Sequence, residues 1–307
     1  FIKNNYLYAA SNDAVYRYKL DNKGEVMNPD KPEKIITGLV DRKLDNAKSV
    51  VVDNNNHIYV NVGSYANACL IDPPSKKAPN PCPILDSVGG IWQFRVNQLN
   101  QQYKDGVHYA TGFKNSVGFD WNTQTNSLFI MQHGMGDLHN LYPQYYTVDQ
   151  DNLLPAETMY EVRKGADGGW PYEYYDHLQH KKIMSPEYGG DGKKECTHKA
   201  INPLVAFPAH MAPNGLLFYT GNKFPAKYKN GAFIAFHSKS VELQKGWLVA
   251  FVPFAGGKPS GKWEIFADNF LIGKDQHKPC GLALAPDGSL FVSDDANGMV
   301  FRIQYGK

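Results

Sequence analysis

The chain alternates short runs of apolar and aromatic residues with polar turns along its whole length. Three of these runs are each followed, after a turn or loop, by a second run. In that second run, larger apolar side chains alternate with polar or smaller ones. A period of two residues is typical of strands in a sheet whose two faces differ, so the pattern predicts β-strands. The paired runs are residues 6–9 with 14–18, 58–62 with 90–95, and 290–293 with 299–303.

Turn-forming residues precede or follow these runs. Residues 53–56 (Asp-Asn-Asn-Asn) and 285–288 (Ala-Pro-Asp-Gly) tolerate the positive φ angles that tight hairpin turns require. Residues 153–164 are the exception to the strand pattern and are interpreted as one helical turn at most. Together the runs predict about five or six similar units, the further ones being residues 128–131, 216–219, 232–236 and 247–252.

Many short strands without alternating helices favour an all-β fold, either a sandwich or a propeller. The repeated unit favours the β-propeller, because a sandwich does not need self-similar blocks of strands. Repetitive all-β folds commonly exceed 250 residues in one unit, so residues 1–307 are predicted to form a single β-propeller domain. The first run lies close to residue 1, so either the ring has few blades or its N-terminal part is incomplete.

Composition and charge exclude several classes of protein. The 32 Lys and Arg residues nearly balance the 30 Asp and Glu residues and are scattered, which argues against a nucleic-acid partner. No apolar run is long enough for a transmembrane segment. The N-terminal sequence Phe-Ile-Lys-Asn-Asn lacks the basic head and apolar body of a signal peptide.

The four cysteines indicate disulfides rather than zinc, because no Cys-x-x-Cys spacing occurs. Cys69 and Cys82 enclose a proline-rich stretch that has little capacity to fold by itself. Of the three possible pairings, we expect Cys69 with Cys82 and Cys196 with Cys280. Disulfides persist in oxidising compartments, which predicts a secreted or periplasmic protein.

Polar and charged residues interrupt the apolar pattern next to predicted strands, where the loops of a propeller converge on one end of the ring. Lys48, Lys114 and Lys278 come from separate repeats. If they point into one cavity they suit a polycarboxylate, and if not they are surface lysines. The polar clusters are residues 45–48, 112–116, 132–137, 208–214 and 276–281.

The third polar cluster is a candidate cation site. Its Gly-rich backbone and nearby carboxylate suit calcium, which takes oxygen ligands from backbone and side chains alike. The alternative is a tight turn capped by Asp137. No serine nucleophile elbow, nucleotide-binding loop, nicotinamide motif or zinc-protease helix occurs in the sequence. The candidate metal residues are His133, Gly134, Met135 and Asp137.

Residues 89–92 (Gly-Gly-Ile-Trp) and 105–118 (Asp-Gly-Val-His-Tyr-Ala-Thr-Gly-Phe-Lys-Asn-Ser-Val-Gly) resemble the glucose/sorbosone dehydrogenase family, whose members bind pyrroloquinoline quinone (PQQ). The similarity is collinear over nearly the whole chain. It implies a six-bladed β-propeller, PQQ above the central tunnel, and a calcium ion between cofactor and protein. Supporting stretches are residues 168–172, 186–192, 232–237 and 281–288.

The resemblance also implies a reaction and its partners. Family members abstract hydride from a sugar hydroxyl or an aldehyde, are exported, and pass electrons to a cytochrome or a quinone-type acceptor. Asn115 matches an asparagine that contacts the cofactor, and Lys114 stands where an arginine lies flat against the quinone. His133, Gly134 and Met135 fall where the family binds calcium through its backbone.

Asp45 stands where the family has the histidine that acts as general base. An ordinary Asp is about two to three pKa units more acidic than His and is therefore a weaker base. The family pattern Gly-Ser-Trp-Asn-Arg is replaced by residues 238–242, Ser-Lys-Ser-Val-Glu. The residues expected to contact the cofactor are Lys48, Lys114, Asn115, His210 and Lys278.

Two functions follow from these observations. The first is a PQQ- and calcium-dependent dehydrogenase of a sugar, polyol or aldehyde, with Asp45 as the base. The second is a secreted, non-catalytic propeller that serves as a binding, adhesion or assembly subunit, since the departures cluster at the cofactor site and spare the strands.

Overall fold

The computed structural model describes residues 1–70, 73–272 and 275–306, and strands account for most of its regular structure. Within these residues, two short α-helices and five 3-10 helices lie in the connections. The helices are α1 (Leu138–Leu141), α2 (Val148–Leu153) and the 3-10 segments Pro73–Ser75, Pro83–Asp86, Tyr103–Asp105, Pro186–Tyr188 and Ala226–Tyr228. The first thirteen strands are β1 (Ile2–Lys3), β2 (Tyr6–Ala10), β3 (Ala14–Lys19), β4 (Glu33–Thr37), β5 (Val50–Val52), β6 (His57–Val62), β7 (Gly90–Arg95), β8 (Gln101–Gln102), β9 (Val107–Thr111), β10 (Ser116–Asn122), β11 (Ser127–Gln132), β12 (Glu157–Val162) and β13 (Ala166–Asp167).

The second half of the chain continues the same pattern of short strands. Among all the residues that the structure describes, no helix is long and apolar enough to cross a membrane. The strands of this half are β14 (Glu173–Asp176), β15 (Lys181–Met184), β16 (Val205–Phe207), β17 (Pro213–Phe218), β18 (Gly231–Ser240), β19 (Lys245–Ala255), β20 (Lys258–Pro259), β21 (Glu264–Ala267), β22 (Leu271–Ile272), β23 (Asp275–Gln276), β24 (Pro279–Leu284), β25 (Leu290–Asp294) and β26 (Met299–Ile303).

The strands form an all-β propeller whose blades follow one another in chain order. Neighbouring strands within a blade are antiparallel, apart from the short parallel pairs β4–β8 and β9–β13. Two small hairpins, β14–β15 and β22–β23, lie outside the blades. Blade 1 contains β1–β4 and β8, blade 2 contains β5–β7, β9 and β13, blade 3 contains β10–β12 and β16, blade 4 contains β17–β21, and blade 5 contains β24–β26.

The inner strands of successive blades pack side by side around a central tunnel. Strand β2 contacts β5, β5 contacts β10, β10 contacts β17, and β17 contacts β24. The tunnel has a volume of about 360 Å³ and is lined by residues from all five blades, mostly apolar ones such as Tyr8, Val50, Val117 and Leu282, together with Asp120 and Asn214. The loops that precede and follow these inner strands are therefore held around one axis.

Apolar cores between successive blades hold the ring together. Burial of a large apolar side chain contributes about 1.5–3 kcal/mol relative to its exposure, so these contacts supply the main favourable free energy. Four such cores join the blades, with Val15 and Val60 between blades 1 and 2, Tyr59 and Leu128 between 2 and 3, Met159 and Phe236 between 3 and 4, and Phe233 and Leu290 between 4 and 5.

The expectation of six blades is wrong, because the described residues form five. The runs 216–219, 232–236 and 247–252 lie on the adjacent strands β17, β18 and β19 of one sheet, so they count as one blade. No apolar core of the described residues joins blade 5 to blade 1, and Val300 and Ile2 on these blades are 66% and 64% exposed. The fold class was correct and the blade count was too high.

Individual strands match the apolar runs closely, with one exception. The runs at 90–95 and 299–303 coincide with β7 and β26. Residues 153–164, by contrast, contain strand β12 rather than a helical turn. Glu157 and Thr158 of this strand are buried polar residues, which hid the apolar alternation in the sequence.

One of the two expected disulfides is present. Cys69 and Cys82 are bonded, with Cα atoms 6.2 Å apart. The predicted pairing of Cys196 with Cys280 is wrong, since both are free. Cys196 donates a hydrogen bond to the carbonyl oxygen of Tyr172, whereas Cys280 is the second residue of β24 and accepts one from Asn214. The two thiols thus lie in separate environments.

Replacement of both Cys69 and Cys82 by alanine is expected to lower the free energy of unfolding by about 3 kcal/mol. A disulfide that closes a loop of this length restricts the unfolded chain by roughly that amount. The free energy is measured by urea denaturation, with Cys196→Ala as a control that removes a free thiol. A double variant no less stable than the control would contradict this role.

Candidate functional site

The polar clusters predicted from the sequence surround one end of the tunnel, which we call the mouth. In blades 2 to 5 the innermost strand runs away from the mouth, and the loop before it carries a cluster. These loops therefore lie at the same end of the ring. Residues 45–48 precede β5, 112–116 lead into β10, 132–137 follow β11, 208–214 lead into β17, and 276–281 lead into β24.

A buried ion pair lies on the blade 2 and blade 3 side of the mouth. Lys114, only 4% exposed, pairs through Nζ with a carboxylate oxygen of Asp45. Asn115 Nδ2 donates to the other oxygen of the same carboxylate at 3.2 Å. A Cβ atom at Gly63 would collide with the backbone oxygen of Asp45, so glycine is needed there. Two donors thus hold one carboxylate.

A buried asparagine fixes the position of these donors. Asn61 Nδ2 donates to the Ala47 oxygen at 3.1 Å and to Asn115 Oδ1 at 3.3 Å. Asn61 Oδ1 accepts the backbone N–H of Ser116 at 3.1 Å. Because a buried polar group is stable only when it is hydrogen-bonded, this network restricts Asn115 to one rotamer. These hydrogen bonds from Asn61 therefore join blades 2 and 3 at the candidate site.

A buried carboxyl group joins blades 3 and 4 at the mouth. Glu157 accepts the backbone N–H groups of Gly134, at 2.8 Å, and of Ala212, at 3.1 Å. Burial raises the pKa of Glu157 to about 7, although both N–H groups oppose the shift. Sequence reasoning missed Glu157, because it lies in the stretch interpreted as a helical turn. Its apolar neighbours in β12 were the only available signal.

His133 lies beside this carboxyl group. Its backbone N–H donates to the Asn115 oxygen at 2.9 Å, which places it next to the ion pair. Burial, followed by the charge of Lys114, lowers the pKa of His133 to about 4, so the ring is neutral at pH 7. Its Nε2 atom is enclosed and has no hydrogen-bond partner, and neither has Oε1 of the adjacent Gln132. His133 and Gln132 line an enclosed cavity of about 20 Å³, which has room for about one water molecule.

Glu157 is expected to make stability depend on pH. Its folded pKa of about 7 lies above the ordinary 4.5, so the folded state holds the proton more tightly than the unfolded state. This contribution is complete below pH 4.5 and is lost as the pH rises through 7, by up to roughly 3 kcal/mol. Between pH 4.5 and 8 the wild type should lose more stability than Glu157→Gln, because Asp120, whose pKa burial also raises to about 7, titrates in both proteins. Equal pH slopes would contradict the assignment.

Two further contacts carry the polar surface onto blades 4 and 5. Asn214 Nδ2 donates to Cys280 Sγ at 3.8 Å. His237 Nε2 lies 2.7 Å from Asp295 Oδ1. The sequence did not indicate His237 or Asp295 as site residues, although His237 directly follows the aromatic run 232–236. We call the whole set the polar arc: Asp45, Lys114, Asn115, His133, Glu157, Asn214, Cys280, His237 and Asp295.

The other expected cofactor residues precede the innermost strands of blades 2, 4 and 5, and each has its own hydrogen-bond partner. Lys48 Nζ donates to the Asn46 oxygen at 2.7 Å, and burial lowers the pKa of Lys48 to about 8. The backbone N–H of Lys278 donates to Asp294 at 2.9 Å. His210 Nε2 is 2.7 Å from the Asp151 oxygen, in helix α2. Among the described residues, no hydrogen bond or ion pair joins these side chains to Lys114.

The candidate metal residues divide in the same way. His133 is a member of the polar arc, and Gly134 donates its backbone N–H to Glu157 of the arc. Met135 is buried in an apolar cluster, and Asp137 accepts a hydrogen bond from Asn67 Nδ2 at 2.7 Å, which ties two loops together. The described residues contain no group of three or more His, Cys, Asp or Glu side chains suited to a metal ion. Calcium here would depend on backbone oxygens.

Comparison with known proteins places these features in a family. The TrAA12-like family model matches residues 2–306. An uncharacterized protein from Borreliella burgdorferi is 26% identical over 99% of this chain and 74% of its own length. A pyrroloquinoline quinone-dependent sugar dehydrogenase from Hypocrea jecorina is 21% identical over 97% of this chain and 71% of its own. The structure of a family AA12 carbohydrate-active enzyme from Trichoderma reesei superposes with a TM-score of 0.75 and 19% identity, over 97% of this chain and 77% of that one.

Proposed function

Because the chain belongs to the TrAA12-like family, we propose that it is a quinoprotein oxidoreductase that oxidises a sugar, polyol or aldehyde with PQQ. The relative from Hypocrea jecorina is named a pyrroloquinoline quinone-dependent sugar dehydrogenase. The observation that carries the proposal is the pair of buried donors, Lys114 and Asn115, that already hold a carboxylate at the mouth.

The residues at the mouth fit PQQ in their donor chemistry. PQQ is a planar polycarboxylate, and it needs cationic and N–H donors in a site shielded from water. Asp45 shows that Lys114 Nζ and Asn115 Nδ2 can bind the two oxygens of one carboxylate together.

Each residue then has a defined task. PQQ, when bound, accepts two electrons from the substrate. Lys114 and Asn115 would hold its carboxylate, and the buried network of Asn61 would keep Asn115 oriented. The carboxylate of Asp45 would have to release Lys114 and Asn115 before a cofactor carboxylate could bind them. Asp45 therefore competes with the cofactor for these two donors. Lys114 supplies charge but lacks the planar surface with which an arginine would stack on the quinone.

Calcium would bind beside the cofactor, at the backbone of residues 133–135. Calcium accepts neutral carbonyl oxygens of this kind as ligands. Asp137 would bind calcium through the carboxylate that also accepts the side-chain amides of Asn67 and Asn140. An oxidising compartment fits the disulfide between Cys69 and Cys82. A secreted or periplasmic location, with a cytochrome or quinone as electron acceptor, completes the proposal.

Reconstitution tests this function. Purified protein is incubated with PQQ and calcium, and reduction of an artificial dye is measured with a panel of aldoses, polyols and aldehydes. We expect reduction that depends on PQQ and on at least one of these substrates. No retained quinone absorbance together with no dye reduction would overturn the proposal.

A specific observation favours the second candidate, a non-catalytic propeller that serves as a binding, adhesion or assembly subunit. The ion pair of Lys114 with Asp45 neutralises the buried cation that a polycarboxylate would need. If this pair persists in the presence of excess PQQ, the mouth is a closed structural element. The same reconstitution distinguishes the two candidates.

A further inference from the structure

His237 and Asp295 form a histidine–carboxylate pair across the boundary of blades 4 and 5. Their Nε2 and Oδ1 atoms are 2.7 Å apart, and the side chains are 24% and 55% exposed. His237 lies where the pairing of β18 with β19 shifts register, between Phe236 and Lys239. A register shift of this kind changes the direction in which a side chain points, and such shifts are over-represented next to functional sites. The pair is therefore both oriented and accessible to a ligand.

Backbone contacts connect this pair to the rest of the polar arc. The N–H of His237 donates to the Ala212 oxygen at 2.9 Å, and the N–H of Ala212 donates to Glu157. Glu157 in turn accepts the N–H of Gly134, directly after His133. Asn214 and Cys280 lie between the two blades on the same surface. His237 thus belongs to the mouth.

The hydrogen bond to Asp295 decides which nitrogen of His237 is available. With Nε2 donating to the carboxylate, the neutral ring carries its lone pair on Nδ1. A neutral imidazole with one nitrogen fixed by a carboxylate is a common arrangement for a general base. Asp45 is a poorer choice, because an ordinary carboxylate is a weaker base than a neutral imidazole.

We infer that His237, oriented by Asp295, takes the proton from the substrate hydroxyl, and this inference rests on the function proposed above. The hydroxyl O–H bond breaks and its proton passes to Nδ1 of His237. The electron pair of the carbinol C–H bond would leave as hydride to the quinone, the oxidant that the proposed function supplies, and the C=O double bond would form. Asp295 is a positioning residue, since it acts through the ring of His237.

The variant His237→Gln tests this role, with His57→Gln as a matched control. His57 has a similarly exposed ring paired with Asp53, but it lies at the far end of blade 2. We expect His237→Gln to bind PQQ within threefold of the wild type and to lose at least 100-fold in kcat. Asp295→Asn should lose about tenfold, and free imidazole should restore part of the kcat of His237→Ala. The control should retain full activity.

A second readout does not need turnover. Diethyl pyrocarbonate should modify both His237 and His57 in the chain without PQQ, as followed by mass spectrometry, and PQQ should protect only His237. A fully active His237→Gln, or equal modification with and without PQQ, would overturn the inference and leave the proposed function intact. Failure of the wild type to bind PQQ would instead refute both.

Discussion

Lys114→Met is expected to weaken PQQ binding by about 100-fold or more. Lys114 is the buried cation that contacts a carboxylate at the mouth, and its exposure is only 4%. Loss of one partner from a buried, charged hydrogen bond costs about 2–5 kcal/mol, which corresponds to at least a 30-fold change in affinity. Isothermal titration with PQQ in the presence of calcium measures the effect.

Two variants separate lost binding from lost folding. Lys114→Arg keeps the charge and adds the planar surface suited to a quinone, so it should bind PQQ at least as tightly as the wild type. Lys194→Met removes an exposed lysine and should change nothing. Circular dichroism verifies that each variant is folded. A folded Lys114→Met variant with wild-type affinity would refute the assignment of Lys114.

Asp45→Asn is expected to tighten PQQ binding by about tenfold and to destabilise the chain without PQQ. The wild-type carboxylate occupies both donors, Lys114 and Asn115, and must leave them before a ligand carboxylate can enter. The neutral amide competes less well, but it leaves the buried ammonium without its counter-ion, which costs several kcal/mol. The increase in Tm on addition of PQQ should thus be larger in the variant than in the wild type.

The same variant tests the expectation that Asp45 is the base. If Asp45 took the proton, Asp45→Asn would lose most of its dye reduction while still binding PQQ. If it is a counter-ion, activity at saturating PQQ should persist, and His237→Gln should be the inactive variant. Weaker PQQ binding by Asp45→Asn would contradict the competition between the carboxylate and the cofactor.

The fold was predictable because each blade has its own local signals. Runs such as 58–62 and 290–293 show the alternation of a half-buried strand, and they lie in β6 and β25. Blade number was not predictable, since it depends on which strands pair. Nothing in residues 216–252 indicates that three apolar runs belong to a single sheet rather than to two.

The location of the site was also predictable, but its contacts were not. Loops before and after strands marked the mouth, because a propeller brings them to one end. The partners of Lys114 and His237 are Asp45 and Asp295, which lie 69 and 58 residues away in the sequence. Such pairs depend on how neighbouring blades pack. The sequence therefore indicated the residue types at the mouth without showing that Lys114 is already neutralised.

A crystal structure of the chain with PQQ and calcium tests the central claim most directly. We predict PQQ at the mouth, with one carboxylate bound to Lys114 and Asn115 and with the side chain of Asp45 displaced from both. A structure from crystals grown in excess PQQ that shows the Asp45–Lys114 pair intact, or PQQ bound elsewhere, would contradict the account.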